Sequence, residues 1–177
     1  MAAPLTHRLA RRDDCDSLKV LMDAAISELQ KPFLDGAQIQ SSRMTMGLDT
    51  QLIDDGTYFI VEILEQLAGC GGWSRRATLY GGDRSPGRSA VLLNPATDAA
   101  RIRAMYTHPL HTRKGVGRLI LSLCEQAARS EGFTRAELMA SIAGEPLYRA
   151  CGYEVRERLV DDRGGVAVPL VRMNKLL

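Results

Sequence analysis

No apolar run in this sequence approaches the roughly 18 residues that a membrane-spanning helix needs. The four cysteines, Cys15, Cys70, Cys124 and Cys151, contain no CxxC pair and are too few for a disulfide scaffold. They are expected as reduced thiols, mostly buried. Net charge is nearly absent as well. Twenty-three basic against 21 acidic residues leave +2, too little for a protein whose whole surface grips nucleic acid. The opening stretch MAAPLTHRLARRDD carries a proline and three arginines where a signal peptide would have an apolar run. The expectation is a cytoplasmic protein with neither membrane nor nucleic-acid partners. No internal repeat is visible.

What remains is ordinary globular composition: 177 residues, 45% hydrophobic and 25% charged, read as one domain over residues 1–177. A chain of this size buries roughly 70% of its unfolded surface, enough for a full core. Leu5–Arg12 alternates weakly and reads as an edge strand. Asp13 or Asp14 is placed to cap a helix whose Leu18, Leu21, Met22, Ala25, Ile26 and Leu29 form one apolar stripe, ended by Pro32. A second helix is expected over about Ala37–Leu48. Thr57–Leu64 and Leu67–Ser74 read as a hairpin. Residues 75–100, broken by Gly81-Gly82, Pro86-Gly87 and Asn94-Pro95, read as one long loop, which in a compact domain is usually functional or mobile. A strand at Arg101–Thr107, a helix at about Gly115–Ser130, a strand at Arg135–Ser141 and a short helix at Glu145–Ala150 follow. Two closing strands, Glu154–Val160 and Val166–Met173, complete a mixed α/β sheet with helices on its faces.

The most informative stretch is Thr107-His-Pro-Leu-His-Thr-Arg-Lys-Gly-Val-Gly-Arg118, where a strand passes through a glycine turn into a helix. The first amides of such a helix are unpaired and its dipole is positive there, which makes an anion cradle. From Arg101 to Arg118 there are five basic side chains (Arg101, Arg103, Arg113, Lys114, Arg118) and no acidic one. A P-loop would need Lys-Ser or Lys-Thr after its glycines, and a dinucleotide fingerprint would need a third glycine where Ile120 stands. Neither nucleotide motif fits. His108 and His111 form an HxxH with no third ligand nearby, so no metal is expected.

This segment resembles the acyl-CoA-binding signature, [Q/R]xxGx[G/A], of the GCN5-related N-acetyltransferase (GNAT) superfamily. Gly115 and Gly117 match its glycines, while Thr112 stands at the Gln/Arg position with Arg113 one residue later. Ser141-Ile-Ala-Gly-Glu-Pro-Leu-Tyr-Arg-Ala-Cys-Gly-Tyr153 is similar to the family's NxxAxxLYxxxGF segment, with Ser141 in place of asparagine. The resemblance implies a mostly antiparallel twisted sheet splayed between its fourth and fifth strands, with acetyl-CoA as co-substrate in the gap. Pantetheine would pair with Met105, Tyr106 and Thr107 and approach Ser141, and the pyrophosphate would lie over Thr112, Arg113, Lys114, Gly115, Val116, Gly117 and Arg118. Tyr148 falls on the tyrosine that serves as general acid or thiol partner. A homodimer is a further implication.

Acetyl transfer to an amine needs the amine neutral. For a lysine-like amine of pKa about 10.4, deprotonation at pH 7 costs roughly 4.6 kcal/mol. No carboxylate lies between Arg101 and Arg118, where many family members place one, so Glu62 and Glu137 are the candidate bases. The expected activity is direct acetyl transfer to a small-molecule primary amine. A non-catalytic acyl-CoA sensor and a protein or peptide N-acetyltransferase are the alternatives.

Overall fold

Turn residues divide the chain into elements close to those expected. In the computed structural model, which describes residues 3–177, the strands are β1 (Leu5–Leu9), β2 (Tyr58–Ile63), β3 (Gln66–Ser74), β4 (Ala100–Thr107), β5 (Arg135–Ser141), β6 (Glu154–Asp161) and β7 (Val168–Leu176). The helices are α1 (Cys15–Leu29), α2 (Gly36–Ser42), α3 (Thr50–Asp54), α4 (Val116–Ser130) and α5 (Glu145–Ala150). No helix among the described residues is long and apolar enough to cross a membrane.

The strands make one sheet in the order β1-β2-β3-β4-β5-β7-β6. Every neighbouring pair is antiparallel except β4 and β5, which run parallel. That parallel pairing holds only at Ala100–Ala136 and Arg101–Glu137. Beyond it the strands separate, so the sheet opens as a V between a four-stranded and a three-stranded half.

Alternation assigns the two faces. On one, Val61, Ala68, Ile102, Ala136, Leu138, Val171 and Met173 pack under the α4 residues Val116, Ile120, Leu121 and Cys124. Helix α4 sits very close to β3: a Cβ at Gly69 would lie 2.4 Å from Val116 Cγ1. Two of the glycines that weaken β3 in sequence, Gly69 and Gly71, therefore make room for a helix, while Gly72 makes room for Tyr58 of β2. On the other face, the α1 stripe of Leu18, Leu21, Met22, Ala25 and Ile26 packs on Tyr58, Ile60, Cys70 and Tyr106. Burial pushes the Cys70 thiol up to about 12, leaving it an inert core residue.

Several expectations are corrected. Asp14 stands at the N-cap of α1, but its carboxylate turns back to accept from the Arg11 amide at 2.7 Å and from Arg8 at 2.8 Å, and caps no helical amide. The second helix ends at Ser42. The unforeseen α3 starts at Asp49, whose side chain accepts from the Gln51 amide at 3.0 Å. Residues 75–99 are not a slack loop. They fold back on themselves through an Arg76–Leu92 bridge and through Ala77 and Leu93 amides bonded to Val91 and Arg75 carbonyls.

Candidate active site

The cleft begins where β4 loses its partner. Past Arg101, the β4 backbone facing β5 makes no strand pairing, so an extended ligand with amide groups can occupy that edge. A bulge bends β4 at the same place. Its register against β3 shifts between Cys70 and Gly72, and Ala104 takes the left-handed conformation at φ 49°. That geometry costs about 1–2 kcal/mol for a residue with a Cβ. The Tyr58 hydroxyl, donating to the Ala104 carbonyl at 2.6 Å, helps to hold it.

At the open end of the V, the chain leaves β4 through a one-turn 3-10 segment, Pro109–His111, capped by His108 Nδ1 accepting from the Leu110 amide at 3.2 Å. Arg113 and Gly115 are both left-handed, at φ 63° and 85°, and α4 follows at once. Leu119 makes the first helical bond, back to the Gly115 carbonyl at 3.0 Å, so the amides of residues 115–118 have no intrahelical partner. Arg113, Lys114 and Arg118 are exposed and form no ion pair among the described residues. A concave run of free amides bordered by unpaired cations is an anion site in physical terms.

The two glycines do different jobs. Gly115 is required by its backbone angle, since among the described residues a Cβ there would meet nothing nearer than Leu5 Cδ1 at 3.9 Å. Gly117 lies close under α5: a Cβ there would fall 2.7 Å from Leu147 Cδ2, a side-chain end that would have to move aside. This contact brings α5 against the start of α4 and positions Tyr148, the next residue along. Thr112 Oγ1 donates to the Pro109 carbonyl at 3.3 Å and so is spent inside its own turn. Ser141 Oγ accepts from the Gly144 amide at 3.1 Å while lining the cleft.

The walls carry Ile102, Arg103, Ala104, Met105 and Tyr106 from β4, Met139 and Ser141 from β5, Tyr148 from α5 and Leu170 from β7. Tyr148 is 9% exposed, and its hydroxyl has no hydrogen-bond partner among the described residues. Burial holds its phenol well above the usual value, so at neutral pH it keeps its proton and can donate a hydrogen bond to a ligand in the cleft. Tyr106 is equally protonated by burial, and its oxygen accepts from the Gly47 amide at 2.8 Å. Of the residues predicted from sequence, Met105, Tyr106, Ser141 and Tyr148 line this cleft together. Residues 112–118 form the turn between β4 and α4, with Gly117 beside Leu147 of α5.

Glu62 and Glu137 do not line it. Glu62 lies on β2 opposite Thr6, two strands from the V, with Arg8 at 3.5 Å. Glu137 lies at the closed end of the V, where Arg101 and Arg172 both bind its carboxylate. A carboxylate held by two guanidiniums serves to close the sheet there.

Sequence reading named no residue of the far wall: Thr45, Met46 and Gly47 before α3, and Leu79, Tyr80 and Gly81 from the 75–99 segment. Arg103 anchors it. This side chain is 3% exposed and reaches Asp49 at 2.8 Å, the Gly81 carbonyl at 2.6 Å and the Thr78 carbonyl at 3.2 Å. An arginine inside an otherwise apolar central strand was the one available signal. Further ties cross from this wall to the β6–β7 hairpin. The Tyr80 hydroxyl donates to Asp161 at 2.8 Å, Arg163 to the Pro86 carbonyl at 3.0 Å, and Ser41 Oγ to the Val166 carbonyl at 2.6 Å.

Residues 21–153 match the model of the Acetyltransferase (GNAT) family. Among solved structures, a GCN5-related N-acetyltransferase from Rhodopseudomonas palustris superposes with a TM-score of 0.71 at 17% identity, covering 100% of this chain and 97% of the other. The PaiA N-acetyltransferase from Thermoplasma acidophilum, in complex with coenzyme A, gives 0.64 at 13%, covering 98% and 99%. The yncA protein from Salmonella typhimurium, with its cofactor acetyl-CoA, gives 0.63 at 18%, covering 98% and 94%. No curated protein sequence matches the chain significantly.

Proposed function

The chain belongs to the GNAT acetyltransferase family, and we propose that it moves the acetyl group of acetyl-CoA directly to the primary amine of a small molecule. The observation that carries this reading is the convergence of three features on one cleft: the free amides of residues 115–118, the unpaired β4 edge, and the unpartnered Tyr148 hydroxyl.

Each fits one part of an acyl-CoA. The amides and Arg113, Lys114 and Arg118 would hold the pyrophosphate, at roughly 1.5–3 kcal/mol for each charge-assisted hydrogen bond. The β4 backbone at Met105–Thr107 would pair with pantetheine. Bound acetyl-CoA supplies the acyl group as an activated thioester. A backbone amide near the Ala104 bulge polarises the thioester carbonyl, and Tyr148 donates its hydrogen bond to the sulfur as it leaves. In the transfer an N–C bond forms and the C–S bond breaks; the amine loses a proton and the sulfur takes one up. No carboxylate lines the cleft, so the amine's proton leaves through water.

A small acceptor is favoured over a peptide by the ties through Ser41, Tyr80 and Arg163, which join the two halves of the molecule across the side where the acceptor enters. Initial-velocity kinetics test the direct route. Lines that intersect when both substrates are varied support a ternary complex, whereas parallel lines with acetylated protein isolated in the absence of acceptor would contradict it.

A further inference from the structure

The charges around the cleft are one-sided. Among its lining residues there is no aspartate or glutamate, and a single charged side chain, Arg103. The carboxylates just behind the wall are already engaged. Asp49 accepts from Arg103 and also from Arg88, and Asp161 accepts from Tyr80 and from Arg163 at 2.8 Å. On the solvent side, Asp83 adds a longer contact to Arg88, at 3.5 Å.

Arg103 itself is not saturated. A guanidinium has five N–H donors. Three bonds are recorded, from Nη2 to Asp49 and the Gly81 carbonyl and from Nη1 to the Thr78 carbonyl. Nε–H and one Nη1–H have no partner among the described residues, on a side chain that is 3% exposed and lines the cavity. Around this cation the wall is apolar and adaptable, with Met46, Leu79, Met139 and Leu170.

Resting on the acetyl-transfer reading above, we propose that the acceptor carries a carboxylate as well as its amine: an apolar α-amino acid or a close analogue, with the carboxylate received by Arg103 and the apolar group by Met46, Leu79, Met139 and Leu170. A polyamine or an aminoglycoside would bring several ammonium groups to a cleft that offers them no anion and already holds a buried cation. A neutral alkylamine would fill the apolar wall but leave the free Arg103 donors unpaired.

The test is a calorimetric titration of the CoA-loaded protein with matched ligands: leucine, leucinamide and 3-methylbutylamine, the same series built on methionine and phenylalanine, and spermidine. At least one amino acid is expected to bind tenfold or more tightly than its amide and its decarboxylated amine, and spermidine not to bind. Arg103→Lys keeps the charge and is expected to retain a reduced preference; Arg103→Met is expected to abolish it. The wild-type ranking stands by itself if the methionine variant fails to fold. Amides or amines that bind as well as the acids, spermidine as the tightest ligand, or no binding across all three series would overturn the inference. The two readings fail separately. Thiol release with amines but not with amino acids would leave the transferase standing and remove the carboxylate site. Carboxylate-selective binding without thiol release would do the reverse.

Discussion

Asp49→Ala is the sharpest test of how the acceptor wall is held. Asp49 and Arg103 are 1% and 3% exposed, and the same carboxylate also binds Arg88 and caps α3. Removing it strands a buried guanidinium, which typically costs about 3–5 kcal/mol. Loss of the cap adds roughly 1 kcal/mol. At about 2–4 °C per kcal/mol for a domain of this size, the thermal midpoint should fall by roughly 8–24 °C. Asp54→Ala, which breaks an exposed pair with Arg12, should leave it unchanged. Differential scanning calorimetry of the two variants beside wild type decides the matter. Arg103 also carries the Gly81 and Thr78 carbonyls, so a surviving Asp49→Ala enzyme should show a raised KM for acceptor with a smaller change for acetyl-CoA. The double variant Asp49→Leu/Arg103→Met removes both buried charges and should recover much of the lost stability. An Asp49→Ala protein as stable as wild type would refute the reasoning, because it would mean the buried pair does not hold the wall.

Gly117→Asp should weaken acetyl-CoA binding tenfold or more by setting a carboxylate among the cradle amides, read by calorimetric titration; unchanged affinity would remove the anion site from the turn. Gly115→Ala should instead cost about 1–2 kcal/mol of stability through its left-handed backbone, with no steric clash, and a denaturant midpoint equal to wild type would contradict that. Tyr148→Phe should lower kcat by about 10- to 150-fold, the worth of roughly 1.5–3 kcal/mol, and leave acetyl-CoA affinity intact. A fully active variant would make Tyr148 a packing residue. Asp14 beside Arg8, Asp55 beside Arg76 and Glu145 beside Arg158 all have carboxyls held below their usual values. Such groups stabilise the fold above their unfolded pKa values of about 4, and that contribution is lost as pH falls through the lower folded values. The urea midpoint should therefore decline below about pH 4, and a midpoint still rising there would contradict these ion pairs.

What could be read from sequence was local. The strand–turn–helix at residues 101–130 announces itself through Pro109, Gly115 and the apolar stripe of α4, because each obeys rules that act within one turn of chain. At Gly117 the sequence gives no sign of Leu147, 30 residues on, whose Cδ2 a Cβ there would meet at 2.7 Å. Glu137 shows the limit on the other side. Alternation puts it on the same face as Met139 and Ser141, but only the tertiary pairing tells how far along β5 the sheet opens. Two residues earlier than Met139, it falls at the closed end between Arg101 and Arg172. The individual residues of the acceptor wall could not be named for a related reason. Residues 45–47, 79–81 and 170 share no pattern, and they meet only because Arg103 and the β6–β7 hairpin draw three distant segments together.

The central claim is that this cleft transfers acetyl groups to amines, and the direct measurement is CoA thiol release from acetyl-CoA across a panel of amino acids, alkylamines, polyamines, aminoglycosides and peptides. The account predicts release that requires a specific small amine and is slowed in Tyr148→Phe, with the acetylated amine identified by mass. Tight acetyl-CoA binding with no acceptor-dependent release from any member of the panel would contradict it.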